Sequence, residues 1–269
     1  MNFFSAERYS DRITIIRTLS HENMYLVEGT TRAALIDTSV GIVGLRKFVE
    51  NLTDLPITVI LTHGHSDHAM GACEFDNVYM NHADDFIYEN MADVAGRMEY
   101  VRINVGPHAK VPDQSEYLGT HGAYQKFHDL IDGTHFDLGG IKIEAYAFPG
   151  HTPGMMATLI PEERLLITGD GANSSTFLFE DYCQSIAEYK KTVHRLARRL
   201  NGKYDTVLIS HHEYMAAPDL LSTICDVCDD ILEGHSDEQD YTFMGRTIWW
   251  QKSRSSVSST RWKVREYCL

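Results

Sequence analysis

Thr62-His63-Gly64-His65-Ser66-Asp67-His68 follows directly on the apolar run Ile57-Thr58-Val59-Ile60-Leu61. The run is short and rich in β-branched residues, which reads as a buried strand. The polar stretch therefore sits at a strand's C-terminal end. It places four side chains able to bind metal, His63, His65, Asp67 and His68, within six residues. Imidazole and carboxylate are the ligands that zinc and similar divalent ions take in hydrolytic sites, and Gly64 and Ser66 are small enough for a sharp turn between them. A polar loop that happens to be histidine-rich is the competing reading. The full His-x-His-x-Asp-His pattern after a strand argues against it, because motif and structural context agree.

The pattern resembles the signature of the metallo-β-lactamase superfamily, and the resemblance extends along the chain from about residue 13 to 215. That family draws its remaining ligands from three later strand ends, and candidates occur in order. They are His151 in Pro149-Gly150-His151-Thr152-Pro153-Gly154, Asp170 in Thr168-Gly169-Asp170, and His211 in Ile209-Ser210-His211-His212. His212 rivals His211, which is preferred because the family's histidine follows directly on a small residue, here Ser210. The resemblance implies an α/β fold, the αββα four-layer sandwich, with metals at one edge between two sheets. It also implies that His63, His65 and His151 hold one metal, that Asp67, His68 and His211 hold a second, and that Asp170 bridges both.

The implied function is a dinuclear-metal hydrolase of a small-molecule ester, thioester, lactone or phosphodiester. A hydroxide shared by metals about 3.5–4 Å apart is its nucleophile, and Asp67, His68 and Asp170 are the catalytic group. Zinc suits the nitrogen-rich set best, with Mn2+ or Fe2+ compatible with the carboxylates. Asp170 at the bridging position looks like the hydroxyacylglutathione hydrolase and lactonase branch. A non-catalytic metal-binding protein and a phosphodiesterase or nuclease branch member are the alternatives.

The rest of the chain fits this frame. Ile13–Thr18, Met24–Glu28 and Ala33–Asp37 read as strands, and Gly41–Leu52 carries apolar residues at helical spacing. Asp37 closes its strand either as a support for the metal loops, by resemblance, or as a cap of the next helix. Asp84–Asn104 reads as one helix with Asp84 or Asp85 as cap. Residues 84 to 134 are expected to form a lid or pocket wall, by analogy with the family. Tyr117, Tyr124 and Phe127 are its candidates for touching substrate, although loop aromatics more often anchor the loop. His82 and the Cys225-Asp226-Val227-Cys228 pair read as ordinary surface or core residues, the latter on a helix from Pro218 to Leu232.

Composition narrows the partners. The chain has 269 residues with formal net charge −14, which disfavours nucleic acid, since such binders rely on Lys and Arg contacts to phosphate. A small-molecule substrate is the expected partner. No apolar stretch approaches the ~18 residues of a membrane span, and the N-terminus lacks signal-peptide character. Five cysteines without framework spacing suit a reducing compartment. A cytoplasmic protein with one hydrolase domain over residues 1 to 245 is expected. Residues 246 to 269 form an atypical C-terminal tail, Ser-rich and basic from Gln251, which reads either as flexible or as translated out of frame. The chemistry is not expected to depend on it.

Overall fold

The computed structural model describes residues 3–106, 109–243, 246–253 and 264–265. A first sheet takes its strands in chain order: β1 (Phe4–Arg8), β2 (Ile13–Thr18), β3 (Asn23–Glu28), β4 (Ala33–Ile36), β5 (Ile57–Ile60), β6 (Val78–Met80) and β7 (His128–Asp129). The first four form an antiparallel meander, and β4 to β7 run parallel. A second sheet is built from β8 (His135–Asp137), β9 (Lys142–Ala147), β10 (Met156–Ile160), β11 (Leu165–Ile167), β13 (Thr206–Leu208) and β14 (Met215–Ala216), ordered β14-β13-β11-β10-β9-β8. The short β12 (Thr176–Phe177) belongs instead to a small third sheet with β15 (Ser236–Phe243), β16 (Arg246–Ser253) and β17 (Val264–Arg265).

Alternation along the strands decides how the sheets stack. In β4, Ala34 and Ile36 join Ile13, Ile15, Tyr25, Val27 and Ile60 in the layer between the sheets, facing Ile143, Ala145, Met156, Leu165, Ile167 and Leu208. Ala33 and Leu35 point the other way, into a second core with Leu45, Val49 and Val101 from the helices. Both faces of the strand are thus buried, so it reads as a continuous apolar run. The outer face of the second sheet is covered by α5 (Ile186–Leu200) and α6 (Leu220–Leu232). In α5 the stripe Ile186, Tyr189, Val193, Leu196 and Leu200 is buried at spacings of three and four, and Ser185 caps the first turn by accepting from the Glu188 amide. Helix, sheet, sheet and helix give the four layers expected.

The structure revises two helices. α1 covers only Leu45–Glu50, because Gly41 and Gly44 take φ of +78° and +97° and place the preceding turn outside helical geometry. The helix read from Asp84 to Asn104 is two, α3 (Asp85–Asn90) and α4 (Val94–Asn104), separated at Met91–Asp93, where the Asp93 side chain accepts from the Gly96 amide and starts a new helix. α4 is fastened by Arg97, which is only 1% exposed and donates to the carbonyls of Val40 (3.0 Å), Ala92 (3.0 Å) and Leu118 (2.6 Å). Tyr117 and Phe127 are buried in the outer core beside it, with Tyr124 packed against them. They anchor the segment rather than line a pocket.

The Cys225 and Cys228 pair lies on α6 within the second helical layer, Cys228 fully buried. The boundary expected after residue 245 falls between β15 and β16, whose strands pair antiparallel from Ser236 with Ser253 to Phe243 with Arg246. β17 pairs with β12 and so reaches a segment next to His151. The remaining tail, 254–263 and 266–269, lies outside the described residues, and with it most of the stretch from Gln251.

Candidate metal centre

The first group of side chains comes from the turn after β5. Asp37, directly after β4 with φ of +63°, aims its carboxylate across the parallel strand pair. Its Oδ1 accepts the Thr62 amide (2.7 Å), and its Oδ2 accepts both the Thr62 hydroxyl (2.8 Å) and His68 Nδ1 (2.8 Å). The next residue, Thr38, donates its amide (2.6 Å) and hydroxyl (2.9 Å) to the His68 carbonyl. Asp37 therefore supports the metal loop, and α1 begins eight residues later with Gly44 at its cap.

These bonds fix where the imidazole protons are. A carboxylate only accepts, so His68 donates from Nδ1 and its Nε2 can present a lone pair. The Thr62 hydroxyl spends its hydrogen on Asp37, so His63 Nδ1, 3.0 Å away, must donate to that oxygen. His63 Nε2 is then a lone pair as well, buried and without a hydrogen-bond partner. His151 Nδ1 donates to the Phe177 carbonyl (2.7 Å), which leaves its Nε2 free. His65 is held from the outside by the Tyr182 phenol on its Nε2 (2.8 Å). Outer partners of this kind set the tautomer of ligating histidines.

The inner atoms converge. Two sets of donor atoms lie within 4.8 Å of one another, His63 with His65 and His151, and Asp67 with His68 and His211; a third set links His63, His68 and Asp170. His65 Nδ1 faces His151 Nε2 at 3.0 Å, and His68 Nε2 faces His211 Nε2 at 3.1 Å. Asp170 Oδ2 is 3.1 Å from His211 Nε2, 3.5 Å from His68 Nε2 and 3.8 Å from His151 Nε2, so it reaches both sets. Its other oxygen accepts from Asn173 (3.3 Å). Buried lone pairs aimed at one another are costly unless a cation lies between them. The donor set therefore fits divalent metal.

The electrostatics agree. Burial, then the neighbouring imidazoles of His68, His65 and His151, hold His63 well below its ordinary pKa, and burial followed by His151 brings His65 to about 3. At His68 burial acts in the same direction, but Asp170, Asp67 and Asp37 outweigh it and raise the pKa well above normal. His211 reaches about 9 against burial, through Asp170 and Asp67. A positive charge, proton or metal ion, is favoured on that side of the cluster.

The motif's geometry depends on residues around it. His65 caps α2 (Ser66–Ala69), accepting the His68 and Ala69 amides, so Asp67 and His68 sit on one helical turn. Asp84, fully buried, joins this turn to the His151 loop: its carboxylate accepts from the Gly64 amide (3.0 Å), the Thr152 hydroxyl (2.7 Å) and the Gly154 amide (2.6 Å). A Cβ on Gly64 would lie 2.8 Å from the Asp84 carbonyl, so only glycine fits there. Burial pushes the Asp84 carboxyl up despite the three donors. Asp84 and Tyr182 were missed as site residues; Asp84 carried only a helix-cap reading, and its role lies in backbone amides that leave no mark in composition.

Other histidines lie elsewhere. His212 stacks on His21 (ring centroids 5.2 Å) with φ of +55°, turned from the cluster that His211 joins. His82 pairs with Asp85 and His121 with Glu89, both at the surface.

Fold and site together define a hydrolase built on the αββα sandwich. The chain belongs to the metallo-beta-lactamase superfamily, whose family model matches residues 17–211. It is 24% identical over 210 residues to the acyl-coenzyme A thioesterase MBLAC2 of Bos taurus, covering 72% of this chain and 74% of that protein. It is 29% identical over 161 residues to the hydroxyacylglutathione hydrolase GloC of Haemophilus influenzae, covering 57% of this chain and 68% of GloC. Among solved structures, a metallo-beta-lactamase from Pontibacter korlensis superposes with a TM-score of 0.58 at 18% identity, over 84% of this chain and 99% of that one. No helix among the described residues is long and apolar enough to cross a membrane.

Proposed function

We propose that the protein hydrolyses an acyl thioester or related ester of a small molecule with two divalent cations, zinc by preference. His63 and His151 through Nε2 and His65 through Nδ1 would hold one cation. Asp67 with His68 and His211 through Nε2 would hold the other, and Asp170 Oδ2 lies within reach of both sets. The observation that carries the reading is the pair of converging donor triads, whose outer imidazole nitrogens are fixed by Thr62, Tyr182, Asp37 and the Phe177 carbonyl. The similarity to MBLAC2 and GloC, both named for thioester chemistry or hydrolysis, supports the choice of a thioester.

Two cations held there would make a bound water more acidic and polarise the scissile carbonyl. The chain's own groups do the rest. The Asp67 carboxylate, whose Oδ2 lies 3.8 Å from His68 Nε2, would take a proton from that water on the oxygen that does not hold a cation, and Asp170 would keep its Oδ2 for the cations. Its oxygen bonds to the acyl carbon, the C–S electron pair leaves with sulfur, and the proton returns to sulfur or passes to solvent. Asp37 keeps His68 from turning during the exchange.

The test is metal analysis with a thioester panel. Purified protein should hold close to two equivalents of divalent metal, and Asp170→Ala at least one fewer. Free-thiol release from acyl thioesters should stop on chelation. Unchanged stoichiometry in the variant removes the bridging role, and turnover at full rate after exhaustive chelation removes the mechanism.

A further inference from the structure

The two sides of the metal centre have opposite character. Beside Asp67 and His211 the wall is acidic: Glu22, 1% exposed, accepts the hydroxyls of Thr18, Ser20 (2.9 Å) and Ser39 (3.2 Å) on one oxygen, while its other oxygen is buried without a hydrogen-bond partner. Asp67 pushes the Glu22 carboxyl upward, second only to burial, so the two carboxyls feel each other. The Tyr100 phenol from α4 interacts with both. Beside His65 the wall is aromatic. The Tyr182 phenol that holds His65 Nε2 belongs to a ring lying edge-on to Phe86, with centroids 5.7 Å apart and planes at 75°. Phe86 stands on α3 and is 47% exposed, although most large apolar side chains of the chain are buried.

A half-exposed phenylalanine is ordinary on a surface. Here it is continuous, through Tyr182, with a side chain of the metal centre. Covering its open face recovers apolar area that the fold leaves in water.

We infer that Phe86 and Tyr182 seat the apolar acyl group of the substrate, which makes Phe86 a specificity-determining residue; this rests on the reading of the site as an acyl thioester or ester hydrolase. The acyl chain lies along the Phe86 ring with its carbonyl over the donor cluster, and the leaving group departs past Asp67. A saturated chain gains contact with the ring at each added methylene, whereas an acyl group ending in a carboxylate brings a charge against the ring face, which returns nothing for the hydration it gives up. The preferred substrates are therefore medium-length apolar acyl groups over acetyl and over dicarboxylic monoacyl groups such as succinyl.

Two measurements on the metal-loaded protein test this. The first is the affinity for the product carboxylates acetate, hexanoate and octanoate by calorimetry, which needs no turnover. The second is kcat/KM for acetyl, octanoyl and succinyl thioesters of one thiol by thiol release. Wild type should favour the octanoyl form over acetyl by on the order of tenfold in both, as two or three covered methylenes imply. Phe86→Ala should bring that ratio within about threefold. Tyr182→Phe keeps the ring and should keep the ratio, whatever it does through His65. Equal carboxylate affinities in wild type, or an undiminished ratio in Phe86→Ala, overturns the inference. Absence of thioester and ester turnover alongside an intact carboxylate preference would instead remove the reaction assignment and leave the apolar seat standing.

Discussion

Asp84 ties together the two loops that carry His63, His65 and His151, and removing it should be felt in both stability and metal binding. Asp84→Ala leaves the Gly64 and Gly154 amides buried without an acceptor, at about 1–3 kcal/mol each, while the Thr152 hydroxyl can rotate towards another partner. A loss of about 4 kcal/mol is expected, near the upper end of what single substitutions cost. Asp84→Asn keeps one acceptor oxygen but turns an NH2 towards an amide donor, and about half the loss should return. Urea unfolding of wild type and both variants gives the comparison. The brace spans the loops of the first triad, so metal titration should show weakened binding at His63, His65 and His151 and a nearly normal second site. Because the loops are joined by hydrogen bonds and not by a ligand, the Asn variant should regain metal binding together with stability. A change under 1 kcal/mol in Asp84→Ala, with unaltered metal uptake, would refute the reasoning.

His211→Ala should lose one metal and lower kcat by orders of magnitude, whereas His212→Ala should retain both; the reverse outcome, read by metal content and turnover, reassigns the ligand. Asp132 accepts the Arg199 guanidinium (2.7 Å and 2.8 Å) and the Ala147 amide (3.0 Å), joining α5 to β9. Burial works against it, but Arg199 and the amide hold its carboxyl below the ordinary value of 3.8. A depressed carboxyl contributes stability above its unfolded pKa and loses it as pH falls through the folded one. The pair is nearly half exposed, so the stability gap between wild type and Asp132→Asn should stay under ~1 kcal/mol near neutrality and close below about pH 4; a gap that widens on acidification contradicts the assignment. Gly41→Ala forces a Cβ to 2.7 Å from the Arg97 guanidinium at φ of +78° and should cost about 1–3 kcal/mol in thermal denaturation with metal content unchanged.

The parts of the site legible in the sequence are those whose chemistry is carried by side chains at strand ends. His63 to His68 announce themselves because four candidate ligands share one turn, and the three later candidates follow once the family's order is applied. His211 is preferred over His212 for the small residue before it, and the structure brings His211 Nε2 beside His68 and Asp170. Asp37 stayed undecided on residue type alone, since a carboxylate after a strand can cap a helix or hold a loop; only the position of Thr62 and His68 across the parallel pair separates the two. Asp84 and Tyr182 act over 20 to 117 residues of separation, on amides and on the far side of an imidazole. Nothing in periodicity or composition marks such partners. The two helix revisions have a local origin, positive φ at Gly41 and Gly44 and a new cap at Asp93, and both lie inside stretches whose apolar spacing alone looked uninterrupted.

Arg97 attaches α4 through bonds that read no side chain. All three of its acceptors are main-chain carbonyls, which every residue type offers equally. Those bonds read no side chain at 40, 92 or 118, although Val40 and Ala92 are buried in the outer core and must keep their size; the exposed face of α3 that carries Phe86 lies outside the joint. A lineage could redraw the contour of this wall, Phe86 included, one residue at a time while α4 stays bolted to the sandwich. Substrate range could then drift with the hydrolytic centre held still.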